Sequence, residues 1–127
     1  MAVEDILYIE ERIKLDKQIA YFMGWRIDNS FPDKGKVWRS PQGDIELDTT
    51  FKFLSDWNKL MEVFEAVNAI EDYSVSIQPG YCSIYYQGML EWEAPHKESA
   101  LITQEAVYKC LAGFIVSYNE LQRTNGL

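Results

Sequence analysis

The stretch Tyr73 to Gln87, YSVSIQPGYCSIYYQ, constrains the fold more than any other part of the chain. Side chains of a strand alternate between two faces, so Tyr73, Val75 and Ile77 interleaved with Ser74, Ser76 and Gln78 read as a strand with one core face. Pro79-Gly80 supplies a turn, and Tyr81 to Gln87 alternates again. A two-residue loop pairs Ile77 with Cys82, Val75 with Ile84 and Tyr73 with Tyr86, which places every apolar residue on one face. A slip of one residue would scatter them, so turn and pattern specify the same register. Ser74, Ser76 and Gln78 then oppose Tyr85, Ser83 and Tyr81 on the second face. A Pro-Gly type II turn twists less favourably than the tight hairpin turns, so a bulge nearby is expected.

Around this hairpin the periodicity changes to helical. From about Glu4 to Met23, Ile6, Ile9, Ile13, Ala20 and Met23 form an apolar stripe, widened by Leu15, Ile19 and Phe22, opposite Glu10, Glu11, Lys14 and Lys17. Gly24 stands where a left-handed residue would end that helix, and Trp25 would fold back near Ile19 and Ala20. Asp28 to Gly35 is rich in turn residues. Lys36 to Arg39 and Asp44 to Asp48 then read as short strands around Ser40-Pro41-Gln42-Gly43. A second helix follows, with Ser55 as N-cap, Asp56 in the first turn, and Trp57, Leu60, Met61, Phe64, Val67 and Ile70 at helical spacing to about Glu71. Gly88 to Ile102 reads as an irregular acidic connection. Val107, Cys110, Leu111, Phe114, Tyr118 and Leu121 mark a third helix, apolar around most of its circumference, with Asn119 to Leu127 fraying. The expected order is α-ββ-α-ββ-α. This is an α+β domain with a four-stranded antiparallel sheet of two hairpins and three helices.

A chain of 127 residues suits one domain over 1–127, with an ordered core from about residue 4 to 121. The apolar runs are far shorter than the roughly 20 residues needed to cross a bilayer, and the opening MAVEDILYIEER is acidic. The expectation is a cytoplasmic protein with no membrane contact. Cys82 and Cys110 fall in core-like segments, as buried reduced thiols do. Twenty acids against twelve Lys and Arg give a net charge of −8, which argues against direct binding to nucleic acid. Between Asp44 and Asp72 alone, eight acids face only Lys52 and Lys59.

The combination of Met23-Gly24-Trp25, Trp38, the helix SDWNKLMEVFEAV and the closing helix with Glu105-Ala106-Val107 resembles small bacteriophage and prophage proteins of the ABA-sandwich type. The similarity runs from about Ala20 to Tyr118 and rests on core and capping residues. It implies an α/β/α sandwich-like layering and a phage or mobile-element origin, and assigns no catalytic residue. Small acidic phage proteins include inhibitors of host defence, anti-CRISPR proteins among them, which is an argument by analogy.

The candidate chemistry is sparse. Asp44, Glu46 and Asp48 would line one side of a strand, where carboxylate oxygens could hold Mg²⁺ or Ca²⁺ and serve a small metal-dependent hydrolase. The chain has one histidine, His96, and no Walker loop, GxSxG or CxxC, so no catalytic set forms around them. The leading expectation is therefore a protein that is not an enzyme and needs no metal or other cofactor. It would bind a basic host protein, such as a CRISPR effector, through an acidic surface of Asp44, Glu46, Asp48, Glu62, Glu65, Glu71 and Asp72. The hairpin face of Tyr81, Ser83 and Tyr85 is the alternative contact surface, since Tyr and Ser make adaptable contacts at low entropic cost. A phage structural or assembly accessory is a further alternative.

Overall fold

A computed structural model describes residues 3–31, 36–94 and 103–125. The elements in chain order are α1 (Val3–Phe22), β1 (Arg26–Asp28), β2 (Val37–Arg39), β3 (Ile45–Leu47), α2 (Trp57–Asn68), β4 (Tyr73–Gln78), β5 (Tyr81–Tyr86), β6 (Met89–Ala94) and α3 (Thr103–Asn125). They form two compact units, Met1–Lys52 and Phe53–Leu127. The α+β character and the three helices are as expected. The single four-stranded sheet and its sandwich layering are not: there are two separate three-stranded antiparallel sheets, β1-β2-β3 and β4-β5-β6. The order is α-βββ-α-βββ-α. Each expected hairpin has gained a third strand, β1 at one and β6 at the other, and these satisfy the backbone groups that a bare two-stranded ribbon would leave open.

In the first unit α1 ends as its sequence requires. The Gly24 N–H donates to the Tyr21 carbonyl at 3.1 Å and the Trp25 N–H to the Ala20 carbonyl at 2.9 Å, the paired bonds of a Schellman cap, with Gly24 at φ +95°. Gly24-Trp25 is thus a helix cap. The cap turns the chain into β1, and the Trp25 ring meets Phe51 edge-on at 5.1 Å. Ile19, Ala20, Val37, Trp38 and Phe51 are buried. Asp16 is buried on α1 while Ile9 is exposed, so the inward stripe lies rotated from the expected one.

In the second unit Asp56, and not Ser55, caps α2: its carboxylate accepts from the backbone N–H groups of Asn58 and Lys59. The helix stops at Asn68, short of Glu71, and the Asn68 side chain accepts from the Val75 N–H at 3.0 Å. The β4–β5 register agrees pair for pair with the sequence expectation, Ile77 with Cys82, Val75 with Ile84 and Tyr73 with Tyr86. The segment expected to be irregular after Gly88 contains β6, whose pairing to β5 carries a bulge at Ile84/Tyr85. α3 lies across the face presented by Tyr73, Ile84 and Trp92, with Phe114 5.0 Å from the Tyr73 ring and Gly113 facing Trp92. A Cβ at Gly113 would lie 3.1 Å from the indole, which is why the smallest residue stands there. Leu60, Val63, Val67, Ile84, Leu111 and Ile115 are all 0% exposed and make the core of this unit. α3 continues to Asn125, past the point where fraying was expected.

Candidate functional site

The seven acids expected to share one surface divide between the two units. Glu46 occupies β3, and Asp44 and Asp48 flank it on either end. Their chemistry is largely spoken for. The Thr50 hydroxyl donates to Glu46 at 2.6 Å, and Lys17 of α1 lies 3.5 Å from Asp48. These contacts fasten the loop after β3 and the strand end to α1. Asp44 stays exposed. Among the described residues no group of three or more His, Cys, Asp or Glu is placed to hold a metal ion. His96 lies outside the described residues.

Glu62, Glu65, Glu71 and Asp72 behave differently. Leu60, Val63 and Val67 set the buried side of α2, and at 100° per residue Glu62 and Glu65 fall on the opposite side, both exposed. Glu71 and Asp72 follow in the exposed turn, Asp72 at φ +71°. None of the four is in a salt bridge among the described residues. The last turn of α2 holds no basic residue, and Glu65 stands in it, at the negative end of the helix dipole. Trp57 is 40% exposed at the start of the same helix, although its helical spacing marks it as a core residue.

The hairpin face is a second, more ordered surface. Ser74 and Gln78 are exposed, Ser76, Tyr81 and Tyr85 half-buried, and Ser83 buried at the centre strand. The Tyr81 hydroxyl donates to Glu93 of β6, and Ser83 Oγ donates to the Tyr85 hydroxyl at 3.3 Å. Sequence reasoning misses Glu93 because it misses β6. The bond to Glu93 is the main cause that pushes the Tyr81 phenol up to about 12 from an ordinary 10.0, with burial adding to it. The neutral phenol is the favoured form, so the contact is complete below pH 10 and is lost as pH rises through about 12. Spectrophotometric titration of the tyrosines should show one phenol ionising after the others, and Glu93→Gln should abolish that late step. A late step that persists in Glu93→Gln would refute the assignment.

On the opposite face of that sheet, Cys82 and Cys110 are free and buried, as expected. Hydrogen bonding to Cys82, then burial, pushes the Cys110 thiol far above the usual range, so it is poorly suited to nucleophilic work. No helix among the described residues is long and apolar enough to cross a membrane. No family model, curated protein or solved structure matches the chain.

Proposed function

We propose that this chain is a non-enzymatic interaction protein that binds a basic surface of another protein through the exposed acids of α2 and the turn after it. The observation that carries the reading is the contrast between the two groups of carboxylates. Glu46 and Asp48 are held by Thr50 and Lys17, whereas Glu62, Glu65, Glu71 and Asp72 have no cationic partner among the described residues. Glu65 also stands in the last turn of α2, where the helix dipole opposes a carboxylate. Exposed charge left unanswered within the chain suits an external cation. Charge is distributed accordingly: residues 53–127 hold ten acids against four Lys and Arg, and residues 1–52 hold ten against eight. The exposed Trp57 adds an aromatic anchor on the same helix. By analogy with small acidic phage inhibitors, the target in this proposal is a nucleic-acid-guided defence complex in the cytoplasm of a bacterial host, such as a CRISPR effector.

The test is capture of the partner from a bacterial host lysate, followed by surface-plasmon kinetics. Association should slow as the Debye length falls from about 10 Å at 0.1 M salt to about 3 Å at 1 M. Reversing Glu62 and Glu65 to Lys should slow association several-fold, because the two are three residues apart on one helix face and act together. Thermal stability should stay the same or rise slightly, since exposed charges contribute little and a cation suits a helix C-terminus. Salt-independent association with unchanged rates in the double reversal would discard the acidic face.

A further inference from the structure

Arg26 of β1 and Arg39 of β2 are register partners and stand directly opposite each other. Like charges so placed oppose strand pairing. The fold nevertheless holds both guanidinium groups in place. Arg26 Nη1 donates to the carbonyls of Tyr21 at 2.9 Å and Trp25 at 2.7 Å, and its guanidinium carbon lies 4.1 Å from the Tyr21 ring centroid. Arg39 Nε donates to Asp28 Oδ2 at 2.7 Å and its Nη1 to the Gly43 carbonyl at 3.3 Å. Asp28 is fixed in turn by the Ser30 N–H at 2.9 Å.

A guanidinium has five N–H donors. The contacts above leave Nε and Nη2 of Arg26 and Nη2 of Arg39 without a partner among the described residues. Asp28 pairs with Arg39, and Arg26 has no carboxylate partner among the described residues, so its positive charge is left unanswered. Both arginines line a cleft of about 430 Å³, together with Asp28, Asn29, Ser40 and the apolar Ile27 and Pro41. It is shallow and open to solvent, so it suits a small anion held at its charged edge and not an enclosed ligand. Donors already held in position lose little freedom on binding, and a guanidinium edge matches the two oxygens of an oxyanion.

We propose that this cleft binds a small organic oxyanion, a phosphate or a carboxylate on a small apolar body, with Arg26 as the chief donor. Ile27 and Pro41 would take the apolar body. Arg39, neutralised in part by Asp28, would complete the second side. The acidity of the chain is weighted away from this unit, since residues 1–52 hold ten acids against eight Lys and Arg, a net of −2 out of −8, and charge beyond a Debye length is screened.

The experiment is an NMR titration of the full chain at constant ionic strength with benzyl phosphate, with phenylacetate and with chloride. One or both organic anions should give saturable shifts in the arginine Nε–H resonances and in the Asn29 and Ser40 amides; the stronger ligand identifies phosphate or carboxylate as the source. Chloride should give none. Arg26→Gln should weaken binding at least tenfold with the spectrum still dispersed. If Arg26→Gln does not fold, Arg26→Lys decides, since it keeps the charge and loses the fork, and should weaken binding at least threefold. Overturning results are no saturable shift with either organic anion, shifts equal to those with chloride, or affinity unchanged in the deciding variant.

Discussion

Truncating Ile84 to Ala should destabilise the protein by about 2–5 kcal/mol, a fall in melting midpoint on the order of 10 °C. Ile84 is fully buried in the central strand of its sheet, opposite Val75 on one side and Trp92 on the other. Removing three carbons there loses the transfer free energy of the side chain, and flanking strands fixed by their ladders cannot close on the space. Ser76, a half-buried residue on the other face, should tolerate Ala within about 0.5 kcal/mol. The comparison by thermal and urea unfolding tests the facing of the whole sheet. A cost below about 1 kcal/mol at Ile84 would mean that this face is not the core.

Gly24→Ala should cost about 2 kcal/mol, from two separable causes. The first is conformational: φ is +95°, where an Ala side chain is strained by about 1 kcal/mol. The second is steric, because a Cβ at that position would lie 2.8 Å from Pro41 Cγ, a ring atom that repuckering can shift only slightly. Gly43 provides the internal control. It has φ +97° but nothing within 4 Å of the place a Cβ would take, so Gly43→Ala should carry the conformational part alone. Equal losses at the two glycines would eliminate the Pro41 contact as a cause. Pro41→Ala should recover part of the loss in the Gly24→Ala background and little in the native chain.

These two sites mark what the sequence makes legible. Alternation on both sides of Pro79-Gly80 specifies the β4–β5 register because a slip would take Val75 or Ile84 off the face it shares with its partner. Gly24-Trp25 reads as a cap because few residues accept the left-handed conformation. Pattern says which face a strand presents, however, and not which strands share a sheet, so it gives no ground for parting the two hairpins into separate sheets. β1 is three residues long, too short for any period to show. β6 is legible as a strand, since Leu90-Glu91-Trp92-Glu93-Ala94 alternates apolar and acidic residues, and reading Gly88 to Ile102 as irregular passes over it. What the pattern hides is the bulge: Trp92 opposes Ile84 while Leu90 opposes Tyr85, so two apolar residues of equal parity go to opposite faces. At the candidate site, exposure of Glu62 and Glu65 follows from helical spacing. The partners of Glu46 and Asp48 do not, since Lys17 meets Asp48 only through tertiary structure.

The bulge also bears on how the chain can change length. Glu91 is the residue that pairs with nothing across the ladder, an exposed surplus between Leu90 and Trp92. Deleting it would join Leu90 to Trp92 and leave every remaining β5–β6 partner opposite its present neighbour. A deletion inside the β5 run Cys82-Ser83-Ile84 would instead carry the residues beyond it to the wrong side of the sheet. Position 91 is thus the place in this sheet where the gene could lose a codon and keep the fold.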